Sequence, residues 1–351
     1  MRVVVVGATG NVGRSLLDEL ATEPSIDEVV GVARRRPTIE LPKVVWRTAD
    51  VAADDLDPLV AGADAVVHLA WAIQPIRDRS YLHRINVDGT ARLVDALLRQ
   101  RVPALIYASS VGTYAPGPKD RRVDESWPAT GVPTSVYSSQ KAMVEAHLDA
   151  VEREHPELRI VRMRTALVFQ QRAAVEVGRY FLGRLAPMRA IGRRWTPFVP
   201  ANEQLVFQAV HASDCARACR LALTSDVAGA FNIAAEPVLT DRELAHVFAA
   251  HRLALPKGII RGGAALSHAL RLQPTEPGWV DLALAAPVMG TTAAREQLGW
   301  TAGHGAVEAV AELLDGFAAR SAGDTPPLAA DGHGYYVPEP HDSRRSQEER
   351  T

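Results

Sequence analysis

The chain is predicted to be an α/β protein: a doubly wound parallel sheet with a smaller, mostly C-terminal lobe. Three observations predict it. Short β-branched runs alternate with amphipathic stretches through the first half, the pattern of strand-helix-strand units. A glycine-spaced turn joins the first such run to the first amphipathic stretch. The alternation weakens beyond about residue 170, where aromatic residues, Arg and Pro take over. A length of 351 residues suits one large domain or two intimate lobes.

The elements follow in order. "RVVVV" (2–6) is an almost continuous β-branched run, as a strand buried on both faces requires. Val12, Leu16, Leu17 and Leu20 then recur at helical spacing. "EVVGVA" (28–33), "VVWRTAD" (44–50), "DAVVHLAW" (64–71) and "PALIYASS" (103–110) read as further strands, with "NVDGTARLVDALLRQ" (86–100) as a helix between the last two. "RIVRMRTALVF" (159–169) is another strand, and "FQAVHASDCARACRLALTS" a strand and a helix before the strand "GAFNIA" (229–234). The predicted sheet domain spans 1–170 plus about 201–235. The second lobe spans about 171–200 plus 236–321, and the Pro-, Gly- and charge-rich 322–351 is expected to be a flexible tail.

Composition excludes several function classes. A net charge of −2 gives no reason to expect nucleic acid or an anionic membrane as partner. No apolar run approaches the ~18 residues that span a bilayer. Cys215 and Cys219 lie four apart on one face of a predicted helix without further ligands nearby, so buried, reduced thiols in a cytoplasmic protein are expected rather than a metal site.

Gly7, Gly10 and Gly13 form Gly-x-x-Gly-x-x-Gly between the first strand and the first helix. Small residues there let the backbone approach a pyrophosphate, and the helix N-terminus turns its N–H groups and positive dipole end toward it. Dinucleotide contacts are therefore expected from Gly7, Thr9, Gly10, Asn11, Val12 and Gly13. A carboxylate about 20 positions further on would bond the adenosine ribose and favour NAD(H). That place instead reads "GVARRRPTIE", with Arg34, Arg35 and Arg36. Guanidinium suits a 2′-phosphate, so NADP(H) is favoured over NAD(H), with Arg14 as a possible helper.

"YSSQK" raises a separate question, because four of the chain's 39 basic residues are lysines and one stands four residues after Tyr137. On a helix, Tyr137 and Lys141 share a face. A free tyrosine has pKa near 10 and must fall by about 2–3 pH units to act as acid/base near neutrality. A nearby ammonium and an oxidised nicotinamide would both stabilise the phenolate. "YASSVGTYA" (107–115) places a serine pair at the C-terminal end of a predicted central strand, where ligands of open α/β sheets sit.

The ordered set Gly7-x-x-Gly10-x-x-Gly13, Asp50-Val51, "HLA" 68–70, "NVDGT" 86–90, "YASSVGTY" 107–114 and Tyr137-x-x-x-Lys141 resembles the extended short-chain dehydrogenase/reductases, the NAD(P)-dependent epimerase/dehydratase family, over about residues 1–235. The resemblance implies a Rossmann domain, Ser110 as catalytic serine, Tyr137 as acid/base and Lys141 as its partner and a cofactor ligand. It also implies adenine contacts from Asp50 and Val51, a cofactor wall of Leu69 and Ala70, and a homodimer through the Tyr137 helix. Asp214 in "HASD" matches an acidic family position.

Departures from the family pattern narrow the choice. Val111 and Gly112 follow Ser110 where sugar-nucleotide dehydratases of the family carry Asp-Glu. Thr165, Ala166 and Leu167 stand where many nucleotide-sugar epimerases place an asparagine, and Gln170 replaces a glycine. Trp71, Trp195 and Ser110 are candidate substrate contacts, and the tryptophans suit a partly apolar molecule. The reading favoured is an NADP(H)-dependent oxidoreductase of a small carbonyl or alcohol substrate. An NAD-dependent sugar epimerase with retained cofactor and a non-catalytic dinucleotide-binding regulator are the alternatives.

Overall fold

The protein is described here by a computed structural model, over residues 1–73, 78–182 and 196–330. Seven strands form one parallel sheet: β1 (Arg2–Val6), β2 (Glu28–Ala33), β3 (Val44–Thr48), β4 (Ala65–His68), β5 (Ala104–Ser110), β6 (Arg159–Thr165) and β7 (Gly229–Ile233). Their order is β7-β6-β5-β4-β1-β2-β3. The order reverses at β1, and the crevice beside a reversal is where such sheets bind ligands.

The valine run of β1 explains its central place. Val3 and Val5 pack on one face with Leu16, Leu17 and Leu20 of the helix Asn11–Thr22. Val4 and Val6 pack on the other with Val66, Leu93 and Leu148. Successive strand side chains alternate faces, so an uninterrupted apolar strand needs cover on both.

Several boundaries differ from expectation, and three of them shape the site. The strand at 64–71 stops at His68, because Leu69 to Trp71 bend over the glycine loop. The strand at 159–169 breaks at Ala166, and Leu167–Phe169 leave the sheet to pair with Ala209–His211. The helix expected from 86 already starts at Arg79 and passes through a π-turn, Arg84–Asp88, before continuing as Gly89–Gln100.

The second lobe contains the helices Ala174–Phe181, Lys257–Ala269, Pro277–Ala285 and Ala306–Ala319, with Phe198–Ala201 paired to His251–Ala254. It interlaces with the sheet domain: Met289, Ala294, Leu298 and Trp300 belong to the core under β1, β6 and β7. The expected tail is corrected at its start. Thr325 and Leu328 are buried, so residues 322–330 pack against the body; 331–351 lie outside the described residues. Cys215 and Cys219 are buried free thiols, and burial pushes Cys219 up to about 12. Among the described residues no helix is long and apolar enough to cross a membrane, and no His/Cys/Asp/Glu group could hold a metal.

Candidate active site

Two cavities meet over the C-terminal edge of the sheet. The first, about 460 Å3, is lined by Gly7, Thr9, Arg34, Arg35, Asp50 and Val51, with Leu69 to Ala72 on its far side. The second, about 430 Å3, runs from Gly10, Asn11, Val12 and Gly13 to Ser110, Tyr137 and Lys141. Gly7, Gly10, Leu69, Trp71, Glu176 and Tyr180 line both.

The glycine loop fits the pyrophosphate of a dinucleotide. Gly7 has φ +89°, and a Cβ there would stand 2.6 Å from Ala70 N. A Cβ on Gly13 would stand 2.3 Å from Gly7 O, so the helix start could not press against the strand end. Gly10 caps the helix without a side chain, which leaves the first-turn N–H groups to the groove. Gln170 is the residue that departs from the family pattern. It donates to Asn11 O at 3.0 Å and Asn11 Oδ1 at 2.6 Å, tying the loop to the Leu167–Phe169 strand.

At the outer end, Arg34 and Arg35 face the same cavity as Asp50 and Val51, and Arg34 Nη1 donates to Tyr81 OH at 2.8 Å. Gly89 of "NVDGT" is needed for Val51: a Cβ would meet Val51 Cγ2 at 2.8 Å. Arg14 does not serve this end. It is buried, and its guanidinium is engaged by Asp18 and Asp324.

At the inner end, Ser110 closes β5 and is 7% exposed. Its Oγ accepts from Gly112 N at 3.0 Å. Tyr137 begins the helix Val136–Glu154, capped by Ser135. Burial pushes the Tyr137 phenol up to about 12, and hydrogen bonding with Ser110 opposes the rise. The protein alone thus keeps Tyr137 a neutral phenol, not the lowered acid expected from its lysine. The cause is burial of the ring. Lys141 Nζ donates to Ala108 O at 2.6 Å and Tyr107 OH at 3.2 Å, and lies 3.6 Å from the centre of the Trp71 ring. Burial also holds Lys141 well below the usual lysine range, opposed by Glu145.

Glu145 is one turn further along the same helix face, a position the i, i+4 spacing after Lys141 already offers. Its carboxylate is 1% exposed and accepts from Arg164 and Ser109. Both serines line the inner cavity, and the Ser109 hydroxyl is committed to Glu145. Asn86 of "NVDGT" acts as a backbone mimic: its amide accepts from Ala72 N at 2.7 Å and donates to Ala72 O and Gln140 Oε1, both at 2.8 Å. That holds the segment after Trp71 to the Tyr137 helix.

The remaining wall is aromatic. Tyr137 stacks with Trp279 at 4.7 Å, Phe181 meets Trp279 edge-on at 5.2 Å, and Trp71 meets Tyr137 edge-on at 6.1 Å. Phe169, Phe207 and Leu282 line the same space. Among the described lining residues the charged ones are Lys141 and Glu176. Glu176 accepts from Tyr180 OH at 2.9 Å, and burial pushes it up to about 7. Trp279, Phe181 and Glu176 carried no readable sequence signal, since they come from helices with no motif. Trp195 lies outside the described residues. Asp214 lies away from both cavities. It is buried and accepts from Gly303 N, His304 N and Arg217, so its work is to anchor the loop before Ala306–Ala319.

Comparison with known proteins gives a match to the NAD dependent epimerase/dehydratase family over residues 3–234. The chain is 27% identical to the decarboxylating sterol-4-alpha-carboxylate 3-dehydrogenase of Candida albicans over 48% of this chain and 50% of that protein. It is also 27% identical to an uncharacterized Mycobacterium bovis protein, over 68% of this chain and 63% of that one. The alignments thus span about half to under two thirds of these relatives. The fold matches the Thermus thermophilus UDP-glucose 4-epimerase in complex with NAD at a TM-score of 0.67 and 21% identity, covering 90% of this chain and 99% of that one.

Proposed function

The chain belongs to the NAD dependent epimerase/dehydratase family, and we propose that within it the protein is an NADP(H)-dependent oxidoreductase that interconverts a carbonyl and an alcohol on a small, largely apolar molecule. The observation that carries this is the inner cavity: Ser110, Tyr137 and Lys141 converge on a space walled by Trp71, Trp279, Phe181, Phe169, Phe207 and Leu282. Two of the relatives bear on it differently. The first is named for a sterol-4-alpha-carboxylate, whose sterol part such walls suit. Epimerases of nucleotide sugars need polar groups for a diphosphate, and Thr165, Ala166 and Leu167 offer little here.

Bound in the groove, the nicotinamide would supply or accept hydride. The chain's residues do the rest. The glycine loop and its helix N-terminus hold the pyrophosphate. Arg34 and Arg35 meet the 2′-phosphate with charge-assisted bonds. Ser110 Oγ donates to the substrate oxygen, and the neutral Tyr137 phenol gives it a proton as negative charge develops there. Lys141 would help hold the ribose and, when protonated, would stabilise the phenolate that remains. The homodimer remains part of the proposal: Met143, 50% exposed on the outer side of the Tyr137 helix, is a side chain such an interface would cover.

A screen of ketones and aldehydes with NADPH tests the reading, with Tyr137→Phe as control. Turnover should fall by ~10²–10⁴-fold in the variant, while its dinucleotide Kd stays within about twofold. Full activity in Tyr137→Phe would remove the acid/base assignment. Native mass spectrometry showing near one tightly held NAD⁺ per chain would favour the epimerase alternative instead.

A further inference from the structure

The C-terminal segment enters the groove. Residues 322–330 leave the helix Ala306–Ala319 and cross the glycine loop. Thr325 Oγ1 donates to Thr9 O at 2.7 Å. Arg14, the residue after the third glycine, donates to both oxygens of Asp324 at 2.9 Å. Gly323 N donates to Leu328 O and Leu328 N to Thr325 O, both at 2.9 Å, which closes the segment on itself. Leu328 is 0% exposed and anchors it. On the opposite bank, Arg179 Nη1 donates to Ala329 O at 3.1 Å, and Nη2 donates to Pro327 O. Arg179 sits on the helix that also carries Glu176 and Tyr180.

The segment therefore bridges the two banks of the groove, and Pro326 and Pro327 line the outer cavity with Thr9, Gly10, Arg34 and Asp50. Two consecutive prolines offer no N–H to a ligand but present a stiff apolar surface. That is the kind of wall an adenosine packs against, while the polar contacts are left to the glycine loop and the arginines.

We propose that residues 324–328 are a component of the dinucleotide site: a strap whose Pro326–Pro327 surface walls the adenosine half of the groove and whose release limits the exchange of the bound dinucleotide. The proposal rests on the dinucleotide reading given above. It assigns Arg14 to the strap instead of to a phosphate. Cofactor held under the strap leaves only when the Asp324 and Thr325 ties open.

Stopped-flow displacement of NADPH and NADH from the full chain tests it, comparing wild type with Asp324→Asn/Thr325→Val. Dissociation should speed up at least tenfold in the variant, with Kd rising in step. Dissociation within twofold of wild type, with the dinucleotide still bound, overturns the strap. Hydrogen exchange on the wild-type protein gives a second measurement that needs no variant to fold. Amides of the strap, Thr325 and Leu328 among them, should exchange at least tenfold more slowly when NADPH saturates the protein. Unchanged exchange on saturation overturns the strap too. If wild type binds neither NADPH nor NADH, the dinucleotide reading itself falls, and the strap with it. Binding with unaltered exchange and dissociation leaves that reading standing and removes the strap alone.

Discussion

Replacing Gly112 by alanine should slow turnover without touching cofactor affinity. Gly112 follows Ser110 by two residues and lies against the Tyr137 ring. A Cβ built there would stand 2.8 Å from Tyr137 Cε1, 3.2 Å from Cδ1 and 3.4 Å from Leu282 Cδ2. The backbone at 112 has little freedom to retreat, because its N–H donates to Ser110 Oγ at 3.0 Å and its carbonyl accepts from Ser138 Oγ. The ring must give instead. Ordinary contact begins at 3.4 Å, so Cε1 has to withdraw by 3.4 − 2.8, or about 0.6 Å. Trp279, whose ring centre is 4.7 Å from that of Tyr137, packs against the ring that must move. A misplacement of ~1 Å at a reacting group can cost ~10²-fold. The expected loss in kcat is therefore ~10- to 50-fold, or ~1.4–2.3 kcal/mol of barrier. Steady-state kinetics on the best carbonyl substrate, with NADPH Kd and thermal midpoint as controls, measures it. A folded variant with kcat within twofold of wild type would show that the phenol position in the structure is not the one catalysis uses.

The remaining predictions concern other parts of the groove. Arg34→Asp should weaken NADP⁺ binding at least tenfold more than NAD⁺ binding, read by isothermal titration; equal losses for both would refute the 2′-phosphate role. Glu176 makes stability depend on pH. Its folded pKa of about 7 lies above the ordinary 4.5, so the folded protein holds the proton longer. The stability this contributes is complete below pH ~4.5 and lost as pH rises to ~7, by up to ~3 kcal/mol. Urea midpoints of Glu176→Gln should show that slope removed and a gain at pH 8. An identical pH slope in wild type and variant would place the titration elsewhere.

Much of the sheet domain was legible because its signals are local. The unbroken valines of β1, the glycines behind it and the Tyr137–Lys141 spacing each report a short-range constraint. The ends of strands were less so. Nothing in "HLAW" says that the chain turns at Leu69, because the turn is forced by contact with Gly7, a partner far away in sequence. Nor does "TALVF" show that Leu167 leaves the sheet to join residues near 210. That Ser110, Tyr137 and Lys141 line one cavity could be read from motifs, but the aromatic wall could not, since Trp279 and Phe181 come together with Tyr137 only after the lobe folds back. Lys141 taught the opposite lesson: its place was legible and its electrostatics were not. Burial, Trp71 and two oxygen partners decide where its charge points, and none of these follows from the spacing.

The strap also has a consequence for how the protein is made. Thr325 bonds to Thr9 across 316 residues of chain. On a ribosome, the glycine loop emerges 316 residues before its tie. Throughout that interval the nascent chain carries a dinucleotide groove with one bank missing. Closing so long a loop from an unfolded chain would cost ~5 kcal/mol in entropy alone, so the tie can form only after the sheet has brought its ends together. The closed groove thus waits on the sheet that lies between the two ends of the tie.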